Sequence, residues 1–124
     1  MKETKIKKCK KCEALIEVLE NCNCKNENIT CCNQIMKDLI PNSEEASYEK
    51  HIPYIEIKDK IVKIKIKHVM EKEHYIKWIK VITKDKNITK IFKPEEDLEL
   101  IIPLEEKMII YSYCNKHGLW KKEI

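Results

Sequence analysis

The stretch Val62-Lys63-Ile64-Lys65-Ile66-Lys67 alternates branched apolar residues with lysines and runs directly into His68. A period of two puts the apolar side chains on one face of a strand and the lysines on the other, the pattern of a half-buried strand. Upstream, Ile55 and Ile57 repeat the alternation, and Asp59-Lys60 suits the turn between the two runs. Downstream, residues 75–82 are ambiguous: Tyr75, Trp78, Ile79 and Ile82 also fit a helical stripe, but the β-branched and aromatic content favours a strand. Lys84-Asp85-Lys86-Asn87 reads as a turn, followed by strands over Ile88–Phe92, Leu98–Ile102 and Met108–Tyr113. Short strands at this spacing predict an all-β sandwich. Gly118 is the single glycine, so asparagines are expected at left-handed turn positions.

The chain has 124 residues, 43% hydrophobic and 37% charged, which suits a folded chain of one ordinary or two small domains. No run approaches the roughly 20 apolar residues that cross a bilayer. The start, Met1-Lys2-Glu3-Thr4-Lys5, has no apolar stretch like that of a signal peptide, so a cytoplasmic protein is expected. The net charge of +4 comes from lysine without any arginine. Bidentate guanine contacts use arginine, so sequence-specific nucleic-acid binding is disfavoured.

Six of the seven cysteines lie within residues 9–32, and all four histidines lie at 51 or later. Between the two sets runs the polar segment Pro41-Asn42-Ser43-Glu44-Glu45-Ala46-Ser47. This segregation divides the chain into residues 1–40, a linker over 41–48, and residues 49–124. Forty residues cannot bury an adequate core unaided. The candidates there are Leu15, Ile16, Val18, Leu19, Ile35, Met36, Leu39 and Ile40, and a metal clip would organise the rest.

Seven cysteines in a reducing compartment favour metal ligation over disulfides. Cys9-x-x-Cys12 followed by Cys31-Cys32 supplies four thiolates from two short segments. Tetrahedral sulfur ligation suits Zn(II) or iron. Adjacent side chains tend to diverge, so Cys31-Cys32 on one ion would distort the tetrahedron. That departure argues for iron and a redox role, while a structural zinc clip fits the spacing equally well. Cys22 and Cys24 form a separate Cys-x-Cys in an Asn-rich loop and are expected to be spare thiols, with a redox pair or substitute ligands as alternatives.

The remaining soft or borderline ligands are His51, His68, His74, Cys114 and His117. Cys114-Asn115-Lys116-His117 brings a thiolate and an imidazole within reach of one ion from one turn. His68 ends a strand, His74 follows across a loop, and His51 sits just past the linker. Trp78 and Trp120 are expected to be core aromatics rather than electron relays.

The segments Glu49-Lys50-His51-Ile52-Pro53, Met70 to Ile79 and Cys114-Asn115-Lys116-His117-Gly118-Leu119-Trp120 closely resemble the superoxide reductases. The Cys9/Cys12/Cys31/Cys32 spacing, with Met36-Lys37 after it, resembles the desulforedoxin-like domain of desulfoferrodoxins. The resemblance implies a small metal-clipped desulforedoxin-like domain followed by an immunoglobulin-like β-sandwich. It makes His51, His68, His74 and His117 the equatorial ligands of one iron and Cys114 its axial thiolate, with the opposite position open. Glu49 matches a carboxylate that occupies that position in the oxidised state, and Lys50 matches the cation beside it, although either could be an ordinary surface charge. Where family members often have His-Pro, this chain has His68-Val69; the glycines common in that loop are absent, and Cys22/Cys24 is extra.

The activity implied is superoxide reduction: superoxide, Fe(II) and two protons give hydrogen peroxide and Fe(III). Four neutral imidazoles and one thiolate would leave ferrous iron with a net charge of about +1, attracting an anion, and the thiolate would push electron density toward it. The resemblance further implies a rubredoxin-like electron donor, a homodimer, and a second iron or zinc in the four-cysteine site. Competing readings are a non-catalytic iron electron-transfer protein and a zinc-clipped module binding nucleic acid.

Overall fold

The computed structural model describes residues 3–24 and 28–124. The chain forms two compact units, residues 2–40 and 41–124, both built of antiparallel strands.

In the first unit β1 (Lys5–Lys8) pairs with β2 (Leu15–Val18), and the turn between them carries Cys9 and Cys12. The Cys9 amide donates to the Ala14 carbonyl at 3.0 Å, the Glu13 amide donates to the Cys9 carbonyl at 2.9 Å, and Glu13 is left-handed at φ 65°. β3 (Thr30–Cys31) and β4 (Gln34–Ile35) make a tight hairpin. β5 (Lys37–Asp38) covers the other edge of β1, where the buried Lys7 ammonium meets the Asp38 carboxylate at 2.6 Å.

Burial in this unit departs from the sequence expectation. Ile6, Cys9 and Met36 are buried, and Leu15, Ile16, Val18 and Leu39 are half-buried. Leu19, Ile35 and Ile40 are exposed, Leu19 at 74% and Ile40 at 70%. A two-residue strand and a short hairpin offer too little surface to cover every apolar side chain, so the sulfur cluster takes the place of a larger core.

The second unit opens with a single helical turn, α1 (Tyr48–His51). Two sheets follow. One contains β6 (Tyr54–Lys58), β7 (Ile61–Lys65) and β10 (Glu99–Pro103) in the order β10-β7-β6. The other contains β8 (Ile76–Ile82), β9 (Asn87–Ile91), β11 (Ile109–Cys114) and β12 (Gly118–Glu123) in the order β12-β11-β8-β9. Val62, Ile64 and Ile102 from the first sheet, Ile66 just past β7, and Ile76, Ile79, Val81 and Ile110 from the second, together with Met108, form one continuous core between the sheets. The expected turn at Asp59-Lys60 joins β6 to β7, with both residues at positive φ (51° and 64°), as two-residue hairpins of type I′ require.

The strand reading of residues 75–82 holds, with one irregularity. Tyr113 pairs with Trp78, but Cys114 pairs with Ile76, so Lys77 is an extra residue in β8. This bulge breaks the period of two and turns both Ile76 and Ile79 into the core; of the helical stripe Tyr75, Trp78, Ile79 and Ile82, only Ile79 belongs to that core. The left-handed positions also differ from expectation. Asn33, Asn42 and Gly118 occupy three of them, but Glu13, Cys32, Asp59, Lys60 and Glu95 occupy the others.

Candidate metal centres

One end of the second unit gathers His51, His68, His74, Cys114 and His117, with one donor atom from each lying within 4.8 Å of all the others. The four imidazoles close a ring. Centroid separations are 4.7 Å from His51 to His68, 4.7 Å from His68 to His74, 5.0 Å from His74 to His117 and 4.9 Å from His117 to His51. Successive planes are steeply inclined, between 68° and 87°. The Cys114 sulfur lies 3.3 Å from His68 Nε2 and 3.8 Å from His117 Nδ1.

Each donor is aimed by a neighbour. His51 Nδ1 lies 2.7 Å from the Ser47 carbonyl oxygen and His68 Nδ1 lies 2.5 Å from that of Val69. Each nitrogen therefore carries the proton and donates it, which leaves Nε2 as the free lone pair. His117 instead turns Nδ1 inward, 3.1 Å from His51 Nε2. The His117 amide points at the Cys114 sulfur at 3.4 Å. Ser112 Oγ donates to the His51 carbonyl at 2.9 Å, the Trp120 indole stacks on His51 at 4.8 Å, and its Nε1–H donates to the His117 carbonyl at 3.1 Å. Asn115 clasps the loop that bears His74: its side chain accepts from the Tyr75 amide at 3.0 Å and donates to the Glu73 carbonyl at 2.9 Å.

The electrostatics favour a cation. Burial holds His68 down to about 4 and lowers His51 and His74 in the same direction, so these imidazoles are neutral at ordinary pH. Burial pushes the Cys114 thiol up, so binding a metal there releases a proton. His74 Nε2 is buried without a hydrogen-bond partner. A buried polar atom left unpaired is costly, and a metal ion at the centre of the ring satisfies it. Four imidazoles with one thiolate suit iron.

The second cluster is Cys9, Cys12, Cys31 and Cys32, again with ligand atoms within 4.8 Å of one another. The Cys31 sulfur lies 3.6 Å from that of Cys12 and 3.9 Å from that of Cys32. Divergence of the adjacent pair is avoided because Cys32 and Asn33 form the β3–β4 turn at φ 52° and 59°. The left-handed backbone at Cys32 swings its sulfur to the side of Cys31. The backbone amide of Cys12 pulls the Cys9 thiol down to about 7, whereas the Cys12 sulfur pushes Cys31 up to about 12 and also raises Cys32. Sulfurs this close resist joint ionisation, and a cation removes that resistance. Cys22 and Cys24 are not spare thiols: they are joined in a disulfide.

Comparison with known proteins gives these two clusters a family. The family model for Desulfoferrodoxin matches residues 43–123. Desulfoferrodoxin from Desulfarculus baarsii is 40% identical over 120 residues, spanning 94% of this chain and 93% of that protein. The chain belongs to the desulfoferrodoxin family. The crystal structure of the superoxide reductase from Treponema pallidum covers 98% of this desulfoferrodoxin and 99% of its own chain with a TM-score of 0.72 at 24% identity, which shows the shared fold. The superoxide reductase (1Fe-SOR) from Giardia intestinalis covers 61% of this chain and 97% of its own, with a TM-score of 0.51 at 25% identity.

All nine metal-ligand candidates from the desulfoferrodoxin sequence fall into these two clusters. Glu49 and Lys50 lie exposed on α1, the turn that ends in His51. The departure at His68-Val69 leaves the ligand's orientation intact, because the aiming group is a backbone carbonyl that proline also carries. Trp120 is buried, as expected of a core aromatic, and Trp78 is half-buried and stacked on Tyr113 at 5.5 Å. Sequence reading did not single out Ser112 or Asn115. The available signals were the one serine in the run Met108–Tyr113 and one amide between two ligands. Among the described residues no helix is long and apolar enough to cross a membrane.

Proposed function

We propose that this desulfoferrodoxin is a superoxide reductase, converting superoxide to hydrogen peroxide at one iron held by His51, His68, His74, His117 and Cys114. The observation that carries this reading is the closed ring of four imidazoles beside one thiolate. The family membership and the likeness to the superoxide reductase of Giardia intestinalis support it. When bound, iron supplies the single electron that superoxide takes up.

The chain's own residues set the conditions. The carbonyls of Ser47 and Val69 fix which nitrogen His51 and His68 present. Neutral imidazoles and a single thiolate leave a divalent ion positively charged overall, which favours an anionic substrate. Only His51 and Cys114 of the five are buried; His68, His74 and His117 are half-buried, so a small anion reaches the ring. We assign Lys50 the steering of that anion and the holding of a water that gives it a proton. Its exposure on the turn beside His51 supports the assignment, and salt should weaken the steering. Glu49 is assigned as the carboxylate that would serve as a further ligand to the oxidised iron.

The four-cysteine site holds iron or zinc. An external rubredoxin-like donor returns the electron, the protein works as a homodimer, and it resides in the cytoplasm.

The test is a superoxide pulse on protein loaded anaerobically with Fe(II). Reduction yields one peroxide per superoxide, whereas dismutation yields one per two. Protein that keeps its iron yet forms no peroxide would be an electron carrier instead.

A further inference from the structure

The Cys22–Cys24 bond belongs to neither metal cluster, and the four-cysteine group is complete without it. Both residues are exposed, in the polar run Asn21-Cys22-Asn23-Cys24. The bond spans one intervening residue, so it ties no two elements together: β2 ends at Val18 and β3 begins at Thr30. Stabilisation by a disulfide grows with the loop it closes, and this loop is close to the shortest available. An exposed bond with so little constraint to offer belongs with the labile disulfides rather than the structural ones.

We infer that Cys22 and Cys24 form a reversible dithiol–disulfide redox site, oxidised by hydrogen peroxide and re-reduced by a dithiol. The inference rests on the proposed function only for the source of the peroxide. In the oxidising half, the sulfur of one cysteine, as its thiolate, attacks a peroxide oxygen. The O–O bond breaks, hydroxide leaves and takes up a proton, and the sulfur becomes a sulfenic acid. The second thiol sulfur then displaces that hydroxyl as water and forms the S–S bond. Two thiols and one peroxide give one disulfide and two waters, with two electrons passing from sulfur to oxygen. In the reducing half, a dithiol attacks one sulfur and its second thiol resolves the mixed disulfide. Both cysteines return as thiols and the dithiol leaves as a disulfide.

The experiment uses the full chain with metal in both clusters. The protein is reduced with dithiothreitol, desalted without oxygen and titrated with hydrogen peroxide. Alkylation and peptide mass spectrometry then report Cys22 and Cys24. The expected result is loss of both alkylation sites to a disulfide at about one peroxide per chain, recovery of both on adding dithiothreitol, and metal content unchanged throughout. In Cys24→Ser the expected product is a sulfenic acid at Cys22, trapped by dimedone. Two thiols that stay alkylatable in a tenfold excess of peroxide would overturn the inference, as would a disulfide that dithiothreitol fails to open in the folded protein. Because peroxide is added directly, neither outcome depends on whether the iron site makes it. The superoxide pulse tests that separately.

Discussion

Asn115 gives no donor to the iron site, yet it decides where one donor lies. Its side chain grips the backbone on both sides of His74, and its own amide donates to the Tyr75 carbonyl at 3.3 Å. Removing the side chain frees the loop that presents the one imidazole nitrogen left buried and unpaired. Asn115→Ala should therefore cost about 1–2 kcal/mol in urea unfolding of the metal-free protein, by loss of one part-buried and one exposed hydrogen bond. It should also release iron to a chelator faster than wild type. Wild-type release rates in the variant would show that His74 is positioned by something else. Histidine burial has its own consequence. His68 is held down from 6.5 to about 4, chiefly by desolvation, with His51 and His74 lowered in the same direction. Between those pH values the unfolded chain takes up protons that the folded chain refuses. This contribution to stability is thus fully present above about pH 6.5 and lost as pH falls toward 4. Urea midpoints of the metal-free protein at about pH 7.5 and about pH 5 should differ in that sense, and a midpoint that rises on acidification would contradict the assignment.

The β6–β7 hairpin shows how an element can form from residues that do not favour it. Both turn residues are left-handed, and Asp59 tolerates that region better than Lys60, whose Cβ meets the following carbonyl. The Lys60 carbonyl also accepts from the Leu104 amide at 2.8 Å, which ties the turn to the neighbouring strand's end. Lys60→Gly keeps the backbone contact and removes the clash, so it should stabilise the protein by up to about 1 kcal/mol. A higher denaturant midpoint with an unchanged slope would show it; a lower midpoint would mean the entropy cost of glycine prevails. The alternation over 62–67 made β7 legible because every other residue is buried against one sheet. β8 was legible from its β-branched and aromatic content despite the bulge at Lys77, and β12 escaped notice because Leu119 and Trp120 are buried side by side where β11 turns back. The ligand sets were legible because cysteine and histidine are scarce and segregated in the sequence. How adjacent Cys31 and Cys32 share a cluster was not legible, since it depends on a positive φ that the Cys-Asn pair does not advertise.

At the scale of the whole molecule, the two units rest on different sources of stability. Residues 41–124 enclose a continuous apolar core between two sheets, with Val62, Ile64, Ile76, Ile79, Val81 and Ile110 fully buried. Residues 2–40 bury only Ile6, Cys9 and Met36 among their described apolar side chains, which is too little to order so short a segment. The thiols that complete this unit oppose one another's ionisation, so the ion they hold contributes folding energy directly. Stripping metal from the full chain should therefore melt one unit and spare the other. Amide hydrogen exchange of the metal-free protein should show lost protection in β1, β2 and β5, while β8 and β11 stay protected because their ladder lies inside the larger core. Cys31→Ser should reproduce the first effect with the iron site still loaded, since that substitution touches only the four-sulfur set. If β8 and β11 lost protection together with β1 and β2 in that variant, the units would fold as one cooperative body. The small cluster would then be a condition for the catalytic fold, and not only for its own forty residues.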